Sequence, residues 1–201
     1  MNWHTILSLI CAFAAASSGA IYAIDTLKGK TQPNRVSFLF WSVPLLAGFA
    51  SVSVGFSWAM LATFATGLMP LLVFVCSFVN KKAYWKLGAA DYICGVFALA
   101  ALVLWLTVKD PVLTIVFSII ADVLATIPTA VKCFKYPESE TKLSYVIYLA
   151  AHSANLLNLE SREFVQWAFP VYLVLCNIVL TTLVYWKSLF PPKKETRQPL
   201  G

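Results

Sequence analysis

VSFLFWSVPLLAGFASVSVGFSWAMLATFATGLMPLLVFVCSFVN runs from Val36 to Asn80 without one charged side chain, 45 residues in all. As a single helix it would be about 68 Å long at 1.5 Å per residue, roughly twice the thickness of a bilayer's hydrocarbon core. The stretch therefore folds back on itself, and the break is expected at Ser51-Val52-Ser53-Val54-Gly55-Phe56-Ser57, its richest segment in serine and glycine. Two spans here, rather than one, set the parity of the whole chain.

Outward from this hairpin, uncharged runs at Thr5 to Ile24, Tyr92 to Val108, Leu143 to Leu159 and Phe164 to Trp186 supply four more spans. Pro111 to Val131, interrupted only by Asp122, brings the total to seven. The chain has 201 residues, 60% hydrophobic and 12% charged, with mean hydropathy +0.77. Soluble domains are roughly half apolar and a quarter charged, so a water-soluble globular domain is excluded. The expectation is an all-α integral membrane protein, because lipid offers backbone groups no partner outside a helix or closed barrel. Cys11, Cys76, Cys94, Cys133 and Cys176 are odd in number, lie in or beside apolar runs and form no C-x-x-C. Neither a disulfide framework nor a metal site is expected, and no cofactor.

Seven spans put loops alternately on two sides, which the basic residues can check. Lys28, Lys30, Arg35, Lys81, Lys82, Lys86, Lys132, Lys135, Lys142, Lys187, Lys193, Lys194 and Arg197 fall on one side; only Lys109 and Arg162 fall on the other. Thirteen against two places the N-terminus outside and the C-terminus in the cytoplasm of a multi-pass protein, expected in the plasma (inner) membrane. Ala14-Ala15-Ala16-Ser17-Ser18 resembles a signal-peptidase site, but Met1-Asn2-Trp3-His4 lacks the basic n-region of a secretory leader, so the first run is read as a membrane helix. The basic segment from Pro191 is read as a topology anchor.

A shift of 107 residues matches Ala14 with Ala121, Ala23 with Ala130, Lys28 with Lys135, Ser37 with Ser144 and Trp41 with Tyr148. A shift of 100 aligns Pro70 with Pro170 and Cys76 with Cys176. The expected organisation is a triple-helix repeat at 1–86, a linker helix at 87–110, a second triple-helix repeat at 111–190 and a basic tail at 191–201. An odd linker restores direction, so the repeats are parallel, related by an axis along the membrane normal. Small residues four apart, Ala12, Ala16 and Ala20 on the first span and Ala47, Ser51 and Gly55 on the second, are expected at packed faces.

Ile127-Pro128-Thr129-Ala130-Val131-Lys132-Cys133-Phe134-Lys135, followed by Ser144-Tyr145, resembles the Pro-Gln motif, basic loop and serine of the SWEET and PQ-loop superfamily. Thr129 stands where that motif has Gln, and the first half has Ile21-Tyr22 at the matching place. The resemblance implies a 3+1+3 fold with an outside N-terminus. It also implies a function among those of the superfamily, whose members carry sugars, nicotinamide riboside or amino acids or act as sorting receptors.

Ionisable and amide side chains at mid-membrane are costly and mark function by default. Asp122 on the fifth span and His152 on the sixth are placed near mid-depth. Thr126 and Thr129 share a helix face with Asp122, and Tyr148 and Asn155 share one with His152, so two polar stripes can line one cavity. The resemblance adds Asn177 on the seventh span, since asparagines on the third helix of each repeat line the pocket of sugar-carrying relatives; Ser77 is its first-half counterpart. It also suggests that Trp41 and Tyr148 sandwich a ring. Asp25 and Asp91 are read as exposed partners or caps at helix ends, and Glu138 and Glu140 as solvated loop residues.

The leading expectation is a facilitator or proton-linked carrier of a small polar solute, held by Asp122, His152, Asn155, Asn177, Trp41 and Tyr148. The alternative is a non-transporting membrane receptor. An enzyme is not expected, for His152 and Asp122 lie in no H-E-x-x-H or G-x-S-x-G context. Expected partners are the solute and the lipid bilayer, with no nucleic acid, and the sequence is compatible with a homo-oligomer. The charge count predicts that a reporter fused after Gly201 is active in the cytoplasm while a tag ahead of Met1 is reached from outside. Labelling of both ends from one side would rule out seven spans.

Overall fold

The computed structural model describes residues 2–43, 58–81, 85–108, 110–159 and 162–190. Seven α-helices and no strand occur among them: α1 (Trp3–Leu27), α2 (Arg35–Trp41), α3 (Trp58–Val79), α4 (Ala89–Thr107), α5 (Pro111–Lys135), α6 (Lys142–Asn155) and α7 (Phe164–Leu189). The expected break at Ser51–Ser57, the small-residue stripe of the second span and the tail lie outside the described residues.

Local chemistry sets the helix ends. Asn2 Oδ1 accepts from the Thr5 N–H at 2.9 Å, Asn34 Oδ1 from Val36 and Ser37 at 3.1 and 3.3 Å, and Asp110 Oδ1 from Leu113 at 2.9 Å with Pro111 next in sequence. Each satisfies donors that a helix start leaves without a partner. The chain leaves α1 through Gly29 at φ 69°, a conformation that a Cβ disfavours.

Helices α1, α5 and α7 are long and apolar enough to cross a membrane. Their outward faces, with Ile10 and Phe13 on α1, Ile120 and Val123 on α5 and Leu175 and Val179 on α7, expose apolar side chains as lipid-facing surfaces do. Helix α3 packs against both α1 and α2, and α7 against both α5 and α6. Two further contacts join these groups, α1 with α6 and α2 with α5, while α4 lies along α5. Ser18 and Ser144 donate to each other's carbonyls at 2.8 and 2.9 Å across α1 and α6. Thr129 donates to the Ser37 hydroxyl at 2.8 Å across α5 and α2. The buried stripe of α1 is Cys11, Ala15, Ser18, Gly19, Tyr22 and Ala23 rather than Ala12, Ala16 and Ala20. Gly19 explains the offset: a Cβ there would collide with the Met69 side chain of α3, so the closest helix approach turns this face inward.

The basic loops gather at one end of the bundle. Thr31 Oγ1 and the Gln32 N–H both donate to the Ser139 carbonyl, at 2.7 and 3.0 Å, clamping the α1–α2 loop to the α5–α6 loop. Glu140, expected in solvent, is instead buried. Its Oε1 lies 2.7 Å from Lys132 Nζ, and neither side chain has any exposed surface. Lys132 Nζ also donates to the Gln32 carbonyl, and Glu140 Oε2 accepts from the Tyr22 and Tyr145 hydroxyls at 2.5 and 3.0 Å. The 3-10 turn Pro137–Ser139 folds the loop back so that Glu140 neutralises a lysine on the inward face of α5. Glu138 stays exposed. Its carboxyl is held below the usual range by a backbone N–H and then by Lys187, 3.3 Å away. Asp91 does cap α4, accepting from the Gly88 N–H at 2.6 Å, but it is buried and also takes the Asn34 amide at 2.6 Å. Asp25 meets Lys30 at 3.9 Å and Thr141 at 3.1 Å.

Replacing Glu140 with Ala would strand the Lys132 charge in the interior, a loss of about 3–5 kcal/mol for a broken buried pair. The double replacement Lys132→Met with Glu140→Gln, which removes both charges and keeps an acceptor for the Tyr22 and Tyr145 hydroxyls, is expected to recover most of it. Chemical denaturation of the detergent-solubilised protein measures both. A single-variant loss under about 1 kcal/mol, the worth of a surface pair, would put this pair in water.

Candidate functional site

A cavity of about 140 Å³ opens between α1, α2 and α3 on one side and α5, α6 and α7 on the other. A dry cavity of similar size holds a benzene-sized molecule. Helix α5 supplies Asp122 and, one turn on, Thr126; α6 supplies Ser144, Tyr145, Tyr148 and His152. The 3.6-residue period puts each set on one face, so two consecutive helices do present polar stripes to a common space. Trp41 enters from α2, and Asn177 enters from α7 together with Phe169, Leu173, Cys176 and Leu180. Gly19 and Tyr22 of α1, Phe38 of α2 and Met69, Pro70 and Val73 of α3 complete the wall.

Five of the six candidate residues thus meet in one place. Asn155 does not: it sits at the last turn of α6, where its Oδ1 accepts from Asn158 at 3.1 Å, and the chain then passes into the 3-10 turn Leu156–Asn158. Thr129 is buried against Ser37 outside the cavity. Ser77, the first-half counterpart of Asn177, is likewise absent from the wall, since its hydroxyl accepts from Arg35 Nε at 2.9 Å and donates to the Phe74 carbonyl at 2.6 Å.

Asp122 Oδ2 accepts from the Tyr172 hydroxyl of α7 at 2.7 Å. The rings of Tyr148 and His152 stack with centroids 5.8 Å apart and planes inclined by 13°. Trp41 Nε1 donates to Thr126 Oγ1 at 3.3 Å, tying the α2 aromatic to α5. Asn177 Nδ2 donates to the Leu173 carbonyl one turn back at 2.8 Å, leaving its Oδ1 as the amide's other polar atom. No ion pair joins His152 to Asp122 among the described residues. The arrangement suits binding: apolar and aromatic walls carrying a few placed polar groups.

No family model, curated protein or solved structure matches the chain.

Sequence reasoning missed Tyr172 and most of the aromatic wall. Tyr172 lies five residues before Asn177 in an uncharged run, where its hydroxyl needs a buried partner; pairing that need with Asp122 was the available signal. Tyr22, Phe38 and Tyr145 look like ordinary packing residues in sequence, and only the meeting of α1, α2 and α6 makes them cavity walls.

Proposed function

We propose that this protein is a seven-span membrane carrier, a facilitator or proton-linked transporter of a small polar solute, with two parallel triple-helix repeats joined by a linker helix and SWEET-like in organisation. The N-terminus is outside and the C-terminus cytoplasmic. The observation that carries the reading is that ten of the eighteen wall residues are matched positions of the two halves. Phe38 and Tyr145, Trp41 and Tyr148, and Gly19 and Thr126 are each related by the 107-residue shift, and Met69 with Phe169 and Val73 with Leu173 by the 100-residue shift. Helix contacts support it too. The pairs α1–α3, α2–α3 and α1–α6 become α5–α7, α6–α7 and α5–α2 when the halves are exchanged, leaving α4 over as the linker. A solute site on the interface of two like bundles is reached from either side when the bundles rock. Pro70, Pro128 and Pro170 each remove a hydrogen bond inside a helix and permit the bending such rocking needs.

In this reading Asp122 binds the solute or the coupling proton, and His152 tunes the pH at which the site loads. Uptake by vesicles containing the purified protein tests it. Asp122→Asn is expected to lower pH-dependent uptake by about tenfold, ~1.4 kcal/mol of lost stabilisation, with folded yield nearly unchanged, and His152→Ala to shift the pH optimum. Unaltered uptake with Asn at position 122 would reduce Asp122 to a packing residue and remove proton coupling. Absence of flux for every solute tried, alongside saturable binding, would favour the receptor.

A further inference from the structure

Several of the hydrogen-bond donors at the cavity are already committed to the protein; the Tyr148 hydroxyl, the His152 ring N–H and the second N–H of the Asn177 amide are the exceptions among the described residues. The Tyr22 and Tyr145 hydroxyls bind Glu140, and Ser144 Oγ donates to the Ser18 carbonyl. Trp41 Nε1 is held by Thr126, the Tyr172 hydroxyl by Asp122 and the Asn177 amide by the Leu173 carbonyl. Displacing the committed donors would leave their partners unsatisfied, so a neutral solute is limited to the three exceptions. Besides these donors and the Asn177 amide oxygen, the space is faced by aromatic surface from Tyr22, Phe38, Trp41, Tyr145, Tyr148 and Phe169 and by one full negative charge, the Asp122 carboxylate.

No lysine or arginine lines this cavity among the described residues. Residues 44–57, outside the described residues, cannot supply one, because the whole run from Val36 to Asn80 is uncharged. The nearest buried ammonium, Lys132, already belongs to Glu140. His152 shares the cavity, but its ring is stacked on Tyr148 and is not paired with Asp122. A carboxylate in a low-dielectric site lined by π-faces is complementary to a positive charge: the carboxylate attracts it directly, and each ring face attracts it through its quadrupole.

We propose that the cavity is selective for a small organic cation of the alkylammonium type, with Asp122 as counter-ion and Trp41 and Tyr148 among the rings that enclose its apolar rim. This names the solute class for the site described above and rests on the carrier reading only for the claim that the bound cation moves.

Choline and its uncharged carbon isostere, 3,3-dimethyl-1-butanol, separate charge from shape. Calorimetric titration of the purified, detergent-solubilised full chain is expected to give at least tenfold tighter binding of choline than of the isostere. Asp122→Asn should abolish most of that difference. Trp41→Leu should weaken choline more than the isostere. The wild-type comparison needs no variant to fold. Equal affinities, preference for the isostere, or no saturable binding of choline up to the millimolar range would each overturn the proposal. Choline uptake by vesicles then tests the two ideas separately. Selective binding without flux keeps the cation site and overturns the carrier. Flux of a neutral solute without choline preference keeps the carrier and overturns the cation site.

Discussion

Lys132 and Glu140 stand 2.7 Å apart with no exposed side-chain surface, at the end of the bundle where the basic loops collect. Removing two full charges from water costs several kcal/mol for each, and the cost is met only when geometry and further hydrogen bonds are good. Here they are: the ammonium also donates to the Gln32 carbonyl, and the Tyr22 and Tyr145 hydroxyls donate to the carboxylate. The cluster draws its members from α1, both connecting loops, α5 and α6. A displaced member would leave a charge or a hydroxyl buried alone, so the cluster holds α1 and the loop after it against α5 and α6 at this end.

That constraint reaches the cavity directly, because Tyr22 and Tyr145 belong to both. Their hydroxyls point at Glu140 while their rings form part of the wall. The polar ends of these residues are thus used for structure and their π-faces are left for a ligand. Asp122 follows a similar logic, for Tyr172 orients its carboxylate from the neighbouring helix. The cavity is shaped less by the polar residues it contains than by where their hydrogen bonds have already gone.

Elsewhere the helices are held by close packing. Gly19 lets α1 approach Met69 on α3, and the reciprocal Ser18–Ser144 bonds join α1 to α6. In lipid there is little hydrophobic drive between helices, so such small-residue approaches and interhelical hydrogen bonds hold a bundle together. The long apolar faces of α1, α5 and α7 turn outward, where the only suitable solvent is hydrocarbon.

How much was legible in advance follows from what each signal depends on. Hydropathy and helix rise are local, and the sequence alone determines an all-helical chain with apolar helices of membrane-crossing length. Helical periodicity is local too, which is why Asp122, Tyr148 and His152 could be assigned to a common space; Asn177 and Trp41 joined them through the resemblance and not through any local signal. Asn155 shares that face but lies at the very end of α6, about one turn past His152, where its Oδ1 is taken by Asn158; periodicity gives the face and not the depth at which the cavity stops. Glu140 was misread because a charged loop residue is solvated unless the fold brings a buried partner, and Lys132 becomes buried only when α1, α5 and α6 close around it. The same applies to Tyr22, Phe38 and Tyr145, whose membership of the wall depends on contacts between residues more than 100 apart in sequence, such as the Tyr22–Glu140 bond. Burial and pairing are properties of the packed bundle, and only the tertiary structure decides them.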